Sequence, residues 1–300
     1  MKLYQNSTSL KTLKEQPFKL EKEIQTFFEE NMEQLLEVTM VKSEFTIKNK
    51  RIDTLAFDEQ SKAFIIIEYK KEKNYSVVDQ GFTYLSLMLE NKADFILTYN
   101  ETLGKTLHSK SVDWSQTRVV FVSPHFTENQ KQATNFKDIA IELYEVKRYE
   151  GNIIGINPIK KTASATSIKP LTEKNQELQK ISREIKVYTE EFHLERYTEA
   201  TKELYEAYKQ AILNLSDSIE TIPKKQYIAF KKGKNIVDIV TMKSGLKLFI
   251  NLSKGTLNDT RNITRDVSNI GHWGNGDYEI VVKDTKDLEY IMFLVKQAII

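Results

Sequence analysis

Cysteine is absent from all 300 residues, which excludes disulfides, thiolate metal sites and cysteine nucleophiles and fits a reducing cytoplasm. An excess of charge of one sign is missing as well. The 44 Lys and Arg stand against 42 Asp and Glu, a net charge of +2, so any surface for a polyanion must come from local clustering. No stretch approaches the roughly 18 to 20 apolar residues that span a bilayer. The N-terminal MKLYQNSTSLKTLKEQPFKLEKE has no apolar core of signal-peptide length, so neither secretion nor membrane insertion is expected. No internal repeat or low-complexity tract is visible. What is present, 40% apolar and 29% charged residues, is a globular composition on a chain long enough for two domains.

Residues 1–16 are polar and read as a flexible or pairing arm. From Pro17 onward Leu20, Ile24, Phe27, Phe28, Met32, Leu35 and Leu36 recur at three- and four-residue steps, the mark of an amphipathic helix. Glu23 lies at the edge of that apolar stripe, where a solvated flank residue is the plain reading. Then come a strand (MVKSEFTIKN), two strands RIDTLAF and AFIIIEY around the polar turn DEQSK, and a second amphipathic helix, SVVDQGFTYLSLMLENK. ADFILTYN reads as a buried strand, KTLHSKSVDWSQ as a loop and TRVVFVSPHF as another strand, followed by a helix and a last strand pair. Apolar strands alternating with helices imply an α/β layer architecture for residues 1–159. Residues 160–176, KKTASATSIKPLTEKNQ, have linker composition. Residues 177–216 read as a helical connector broken around His193 to Tyr197, and 217–300 as a small α+β domain.

The hairpin holds the unusual charges. Asp53 sits inside its first strand, and Glu68 and Lys70 stand two apart in its second, projecting from one face. Two carboxylates and an ammonium can therefore share one small site. Such a set suits a magnesium-dependent phosphodiester hydrolase. Hard oxygens from Asp53, Glu68 and the backbone carbonyl of Tyr69 can hold Mg²⁺ or Mn²⁺, and Lys70 can orient water or stabilise developing charge. Glu-x-Lys also occurs by chance in a chain this rich in both residues, and solvated strand residues are the ordinary alternative. The run Ile65, Ile66, Ile67 leading into Glu68 places the acid at the end of a buried strand. Gln80 and Tyr84 lie one helical turn apart on a shared face, a pair that also suits mere capping and packing.

In this order, Glu23, Asp53 of RIDTLAFD, Glu68 and Lys70 of IIIEYKK, and Gln80 and Tyr84 of DQGFTYL, the residues resemble the PD-(D/E)XK phosphodiesterases, particularly RecB-type and NucS-like nuclease domains. The resemblance covers roughly residues 17 to 157, and Q-x-x-x-Y follows the active-site strand as in RecB-type nucleases. It implies a restriction-endonuclease-like core, a mixed central sheet flanked by helices. It further implies metal ligation by Asp53 and Glu68, a nucleophile served by Lys70, support from Glu23, and an active-site edge shaped by Gln80 and Tyr84. Ile52 stands where the family's Pro precedes the acid, and Glu21, Glu29 and Glu30 compete with Glu23 for the helix position.

Residues 217–300 resemble a domain of unknown function found behind such nuclease domains, in proteins sometimes labelled predicted transport proteins. Lysines including Lys231 and Lys232, interleaved with aromatics, form either a phosphate-tracking face or ordinary exposed turns. Arg261, Arg265, His272, Trp273 and Asp277, around the three glycines of NITRDVSNIGHWGNGDYEI, form either a base or phosphate pocket or a turn around a core Trp. The expectation is a cytoplasmic, Mg²⁺- or Mn²⁺-dependent DNA nuclease of repair or defence, with room for homodimers. Its alternatives are an inactive nucleic-acid-binding protein of the same fold and a structural or transport-associated partner protein.

Overall fold

A computed structural model describes residues 2–6, 8–71, 76–162, 164–172 and 175–299. The chain divides into two compact units, Met1–Val187 and Tyr188–Ile300.

The first unit opens with a small hairpin, β1 (Tyr4–Asn6) and β2 (Leu10–Thr12), so the arm pairs with itself. The chain then continues along the main sheet, where Gln16 N–H donates to Arg148 O at 2.7 Å. Helices α1 (Glu21–Glu30) and α2 (Met32–Leu36) follow, then β3 (Thr39–Ile47), β4 (Lys50–Asp58) and β5 (Ala63–Tyr69). Helices α3 (Val77–Glu90) and α4 (Lys92–Leu103) lead to β6 (Arg118–Ser123), and α5 (Glu128–Thr134) leads to β7 (Ile141–Tyr149) and β8 (Ile153–Ile159). The six long strands form one mixed sheet in the order β3-β4-β5-β6-β7-β8. The β5–β6 and β6–β7 pairs are parallel and the others antiparallel. Parallel neighbours need crossovers, supplied by α3–α4 and α5.

Alternation along β5 sorts the core. Phe64 and Ile66 pack with the α3–α4 side, whereas Ile65, Ile67 and Tyr69 pack with Ile24, Phe28 and Met32 of α1 and α2. Both faces are covered, which is why this strand reads as an unbroken apolar run. Glu68 and Lys70 continue the even-numbered row and therefore face α3.

Two expectations are corrected here. ADFILTYN is not a strand but most of α4. Its Phe95 and Tyr99 sit one turn apart and set their rings against Phe45 at 5.4 Å and Phe57 at 4.9 Å. Gly104, with φ of 61°, ends the helix in the left-handed conformation glycine adopts without penalty. A short apolar run does not distinguish strand from buried helix until its partner is known.

The second correction concerns the division of the chain, which lies between Val187 and Tyr188 rather than at 160–176. The expected linker joins the first unit: Phe136 bridges Thr166, and Ile168 is buried in the core. Helices α6 (Lys169–Thr172) and α7 (Gln176–Glu184) follow, and Ile181 and Ile185 enter the same core. The expected connector is thus divided between the units. A few well-spaced isoleucines suffice to dock a segment whose remaining residues are solvated, so polar composition hid the docking. Ala163, Glu173 and Lys174 of that segment lie outside the described residues.

The second unit contains α8 (Glu190–Leu194), α9 (Glu199–Leu213), β9 (Glu220–Pro223), β10 (Ile228–Lys232), β11 (Lys234–Met242), β12 (Gly245–Ile250), β13 (Arg265–Asp266), β14 (Tyr278–Val282) and α10 (Leu288–Lys296). Its sheet is antiparallel throughout, in the order β13-β14-β12-β11-β10-β9. Leu204, Tyr205, Tyr208 and Ile212 of α9 and Ile291, Leu294 and Val295 of α10 pack on one face.

Candidate active site

The β4–β5 turn is set by Asp58, whose Oδ1 accepts the N–H groups of Gln60 at 2.9 Å and Ser61 at 3.0 Å, a local device that favours Asp at turns. The resulting register pairs Thr54 with Ile67 and so sets Asp53 beside Glu68. The two acids are knitted through each other's backbone. Asp53 N–H donates to Glu68 Oε1 at 3.2 Å, and Tyr69 N–H donates to Asp53 Oδ2 at 3.0 Å.

Ser76 caps the N-terminus of α3 by accepting Asp79 N–H. This start places Gln80 and Tyr84 over β5. Gly81 lets the helix come close, since a β-carbon there would stand 2.4 Å from the Ile141 side chain. Glu68, only 2% exposed, is the hub. Tyr84 Oη donates to its Oε1 at 2.8 Å, while Gln80 Nε2 and Lys70 Nζ each donate to its Oε2 at 2.9 Å. With the Asp53 N–H, each Glu68 oxygen accepts two donors, which fills a carboxylate's usual capacity of about four. Gln80 Nε2 also reaches Tyr84 Oη at 3.0 Å. Tyr84→Phe is therefore expected to cost about 1–2 kcal/mol of stability by leaving Oε1 one donor short, a loss readable by urea unfolding.

Burial pushes Asp53 up, the neighbouring Glu68 charge adds to this, and the acid titrates at about 6 against an ordinary 3.8. Burial acts downward on Lys70, but the contacting Glu68 carboxylate, with Asp53 and Glu21, outweighs it and holds the amine above its ordinary value. Lys70 is thus a cation at neutral pH. Burial likewise raises the Tyr84 phenol, reinforced by Glu68, so it stays a donor.

Asp53, Glu68, Lys70, Gln80 and Tyr84 come together as expected from their order, whereas Glu23 does not join them. Its carboxylate pairs with Arg148 at 3.3 Å. The acid of α1 that reaches the cluster is Glu21, which accepts Lys71 N–H at 2.9 Å and acts on Lys70. Gln25, one turn beyond Glu21, donates to Asp53 O at 3.0 Å and to Glu29 at 2.9 Å. Glu29 in turn accepts the Thr54 hydroxyl at 2.6 Å. The signal was available in the helix spacing: Glu21 and Gln25 share a face, and a polar residue buried beside Ile24 and Phe28 marks the face turned to the strands.

Among the described residues no group of three or more acids or histidines is arranged to hold an ion. The hard donors at hand are Asp53, Glu68 and the Tyr69 carbonyl. They fit Mg²⁺ or Mn²⁺ in chemistry, because Asp53 Oδ1 accepts no donor among the described residues and the Glu68 charge adds to the cost of ionising Asp53.

An uncharacterized protein of Haemophilus influenzae is 55% identical to this chain over 290 residues, covering 97% of this chain and 96% of its own. The chain belongs to that protein's family. Residues 190–299 match the model of a domain of unknown function, DUF5655, in keeping with the C-terminal resemblance read from the sequence. Among solved structures, a repair endonuclease from Pyrococcus abyssi aligns at 19% identity over 40% of this chain and 44% of its own, with a TM-score of 0.23. Pyrococcus furiosus SfsA with Ca²⁺ aligns at 14% identity over 46% of this chain and 63% of its own, with a TM-score of 0.26. An EndoMS structure with double-stranded DNA aligns at 17% identity over 39% of this chain and 42% of its own, TM-score 0.23. Likenesses this slight carry no argument about activity. No described helix is long and apolar enough to cross a membrane.

In the DUF5655 unit the expected pocket residues have separate partners. Arg261 pairs with Asp287 at 2.5 Å and stacks on Tyr290, while Arg265 stands 3.6 Å from Glu279. His272 stacks on Phe249 at 5.1 Å, and Trp273 is 62% exposed rather than a core residue. Lys231 and Lys232 close β10 beside the Gly233 turn. The polar centre of this unit is one the reading missed. Asp238, fully buried in β11, accepts the Nδ2 groups of Asn235, Asn251 and Asn275 and the N–H of Asn275. A lone acid inside NIVDIV is the same signal that singled out Asp53.

Proposed function

We propose that this chain is a divalent-cation-dependent phosphodiester hydrolase of the PD-(D/E)XK type that acts on DNA. The observation that carries the proposal is the closed network in which Asp53, Glu68, Lys70, Gln80 and Tyr84 meet at the end of β5. The mixed sheet with helices on both faces supports the same reading. Asp53, Glu68 and the Tyr69 carbonyl would hold Mg²⁺ or Mn²⁺. Such an ion polarises a phosphoryl oxygen and acidifies its bound water. Lys70, kept protonated, serves as a fixed positive charge beside the phosphate rather than as a base. Gln80 and Tyr84 hold the Glu68 carboxylate in place, and Glu21, through Lys71 and Lys70, steadies the far side. The absence of cysteine supports a cytoplasmic setting.

Plasmid and single-stranded DNA incubated with Mg²⁺ or Mn²⁺ test this. Cleavage is expected, suppressed by chelator and lowered roughly 10²–10³-fold by Lys70→Ala. Cleavage undiminished in both Lys70→Ala and Asp53→Ala would refute it. One observation favours a second reading, DNA binding without cleavage: all four acceptor positions of Glu68 are filled by the protein itself. A salt-dependent mobility shift with no cleavage under either ion would select that reading.

A further inference from the structure

The β3–β4 hairpin turns over where it meets the Asp53–Glu68 cluster. Residues two apart on a regular strand share a face, yet Ser43 accepts Gln25 Nε2 at 3.2 Å on the α1 side, while Phe45 sets its ring 5.4 Å from Phe95 on the α4 side. The partner strand reverses with it: the Thr54 hydroxyl donates to Glu29 of α1, and Ile52 lies in the core with Phe45. The reversal falls on Glu44 and Asp53, between the Ser43–Thr54 and Phe45–Ile52 pairs. Glu44 holds a φ of 51°, a left-handed conformation that is uncommon for a residue other than glycine and persists only where its surroundings fix it.

Two ion pairs do the fixing. Beyond the reversal Arg51, opposite Thr46, is turned to the α1 side, where Glu44 meets its Nε at 2.9 Å and Lys22 Nζ of α1 at 3.2 Å. One acid thus serves two exposed cations. The rest of the tip has no acid: Lys42, Lys48 and Lys50 are exposed, and none of them pairs with a described carboxylate. Residues 42–51 carry four cations and one acid, an excess of three in a chain whose excess over all 300 residues is two. Lysines that only guard a sheet edge lie along the edge strand, whereas Lys50 and Arg51 belong to β4, inside that edge. The same strand runs on to the cluster. Lys50 stands three residues before Asp53, about 10 Å along the strand, and the Arg51 carbonyl lies 3.3 Å from Tyr84 Oη.

We infer that the β3–β4 tip holds the phosphodiester backbone of a nucleic acid where it leads into the Asp53–Glu68 cluster, with Lys48, Lys50 and Arg51 as its cations, and that Glu44 occupies Arg51 and Lys22 until a phosphate replaces it. A span of about 10 Å corresponds to about three phosphates of one strand, so the tip grips the backbone about three nucleotides from the reacting one. Such a grip positions the strand without reading its bases. The inference rests on the nuclease reading of the cluster and deepens it by naming what holds the substrate there and what restrains that hold.

Mobility shifts of single-stranded and duplex oligonucleotides on the full chain, with chelator present so that binding is read without cleavage, test it. Arg51→Met, and Lys48→Met combined with Lys50→Met, should each weaken binding several-fold for unrelated sequences alike and lower the slope of log K against log salt by about one per cation removed. Lys286→Met, which removes an exposed lysine of the second unit, should change neither. Glu44→Gly suits the left-handed backbone and frees Arg51 and Lys22, so it should tighten binding about three-fold or more. In the wild-type protein, oligonucleotide should protect Lys48 and Lys50 from N-acylation, read by peptide mass spectrometry, a measurement that needs no variant. Lys48 and Lys50 left unprotected, weaker binding in Glu44→Gly, a loss in Lys286→Met as large as in the tip variants, or binding to phosphatidylserine vesicles in place of oligonucleotide overturns the inference. Cleavage in Mg²⁺ or Mn²⁺ with binding indifferent to the tip variants sinks the tip alone, whereas tip-dependent binding with no cleavage sinks the hydrolase reading and keeps the tip as a nucleic-acid grip.

Discussion

Asp53→Asn is expected to abolish DNA cleavage and, in the same protein, to raise the melting temperature of the metal-free form at neutral pH. Burial, followed by the Glu68 charge, raises the folded-state pKa of Asp53 to about 6 from 3.8. The folded state holds this proton more tightly than the unfolded one. The stability contributed by the group is therefore complete below the unfolded pKa and is lost as pH rises through the folded one. At neutral pH the ionised carboxylate is a liability. Asparagine keeps an acceptor for the Tyr69 N–H and removes the charge. The gain is about 1–2 kcal/mol after allowing for partial solvent screening, or roughly 2–8 °C for a unit of this size. Mg²⁺ or Mn²⁺ should raise the melting temperature of the wild type but not of the variant. Cleavage should fall at least about 10³-fold, since a metal ligand supplies several kcal/mol of transition-state stabilisation. A variant less stable than wild type without metal, or equally stabilised by metal, would remove Asp53 from the proposed site.

The second large effect belongs to the DUF5655 unit. Asp238→Ala is expected to lower its melting temperature by about 10 °C or more. The substitution takes the acceptor from the Asn275 N–H and from three amide donors, of which Asn235 is buried, Asn251 half-buried and Asn275 exposed, at roughly 2–4 kcal/mol in a unit where each kcal/mol is worth several degrees. Asparagine should not rescue it, because its amide turns a donor toward other donors. Burial raises Asp238 to about 6 from 3.8, opposed by the same hydrogen bonds. Stability from this group is thus full in acid and lost as pH rises through about 6, a dependence that Asp238→Ala should erase. The loop carrying His272 and Trp273 is seated by this acid through Asn275. Close packing leaves little alternative, since a β-carbon on Gly276 would lie 1.8 Å from Ile250 O. Calorimetry showing an unchanged transition in Asp238→Ala would mean the asparagine cage does not hold the unit together.

Much of the first unit was legible because its signals are local. Alternation in RIDTLAF, the isoleucine run before Glu68 and the spacing of Gln80 and Tyr84 depend only on strand and helix periods. The structure keeps them as β4, β5 and α3. Glu23 misled because four acids share one helix and composition cannot rank them; the helix is oriented by Ile24 and Phe28, which turn Glu21 toward Lys71 and Glu23 toward Arg148. α4 was misread because an eight-residue apolar run satisfies either period until Phe45 and Phe57 supply partners for its rings. Lys161 was assigned to a linker because a polar segment shows no sign of docking when Thr162, Thr166 and Ile168 do the attachment.

By itself, then, the amino-acid order determined a cysteine-free α/β chain with an acid in one strand, Glu-x-Lys in the next and a Gln–Tyr pair on the following helix. Only the tertiary structure decided that these side chains close on Glu68, which helix acid joins them, where the two units divide, and that Asp238 is buried and Lys161 half-buried, with very different company. The reason is physical. Periodicity records which face of an element is apolar, whereas desolvation and hydrogen-bond partners are properties of what is packed against that face.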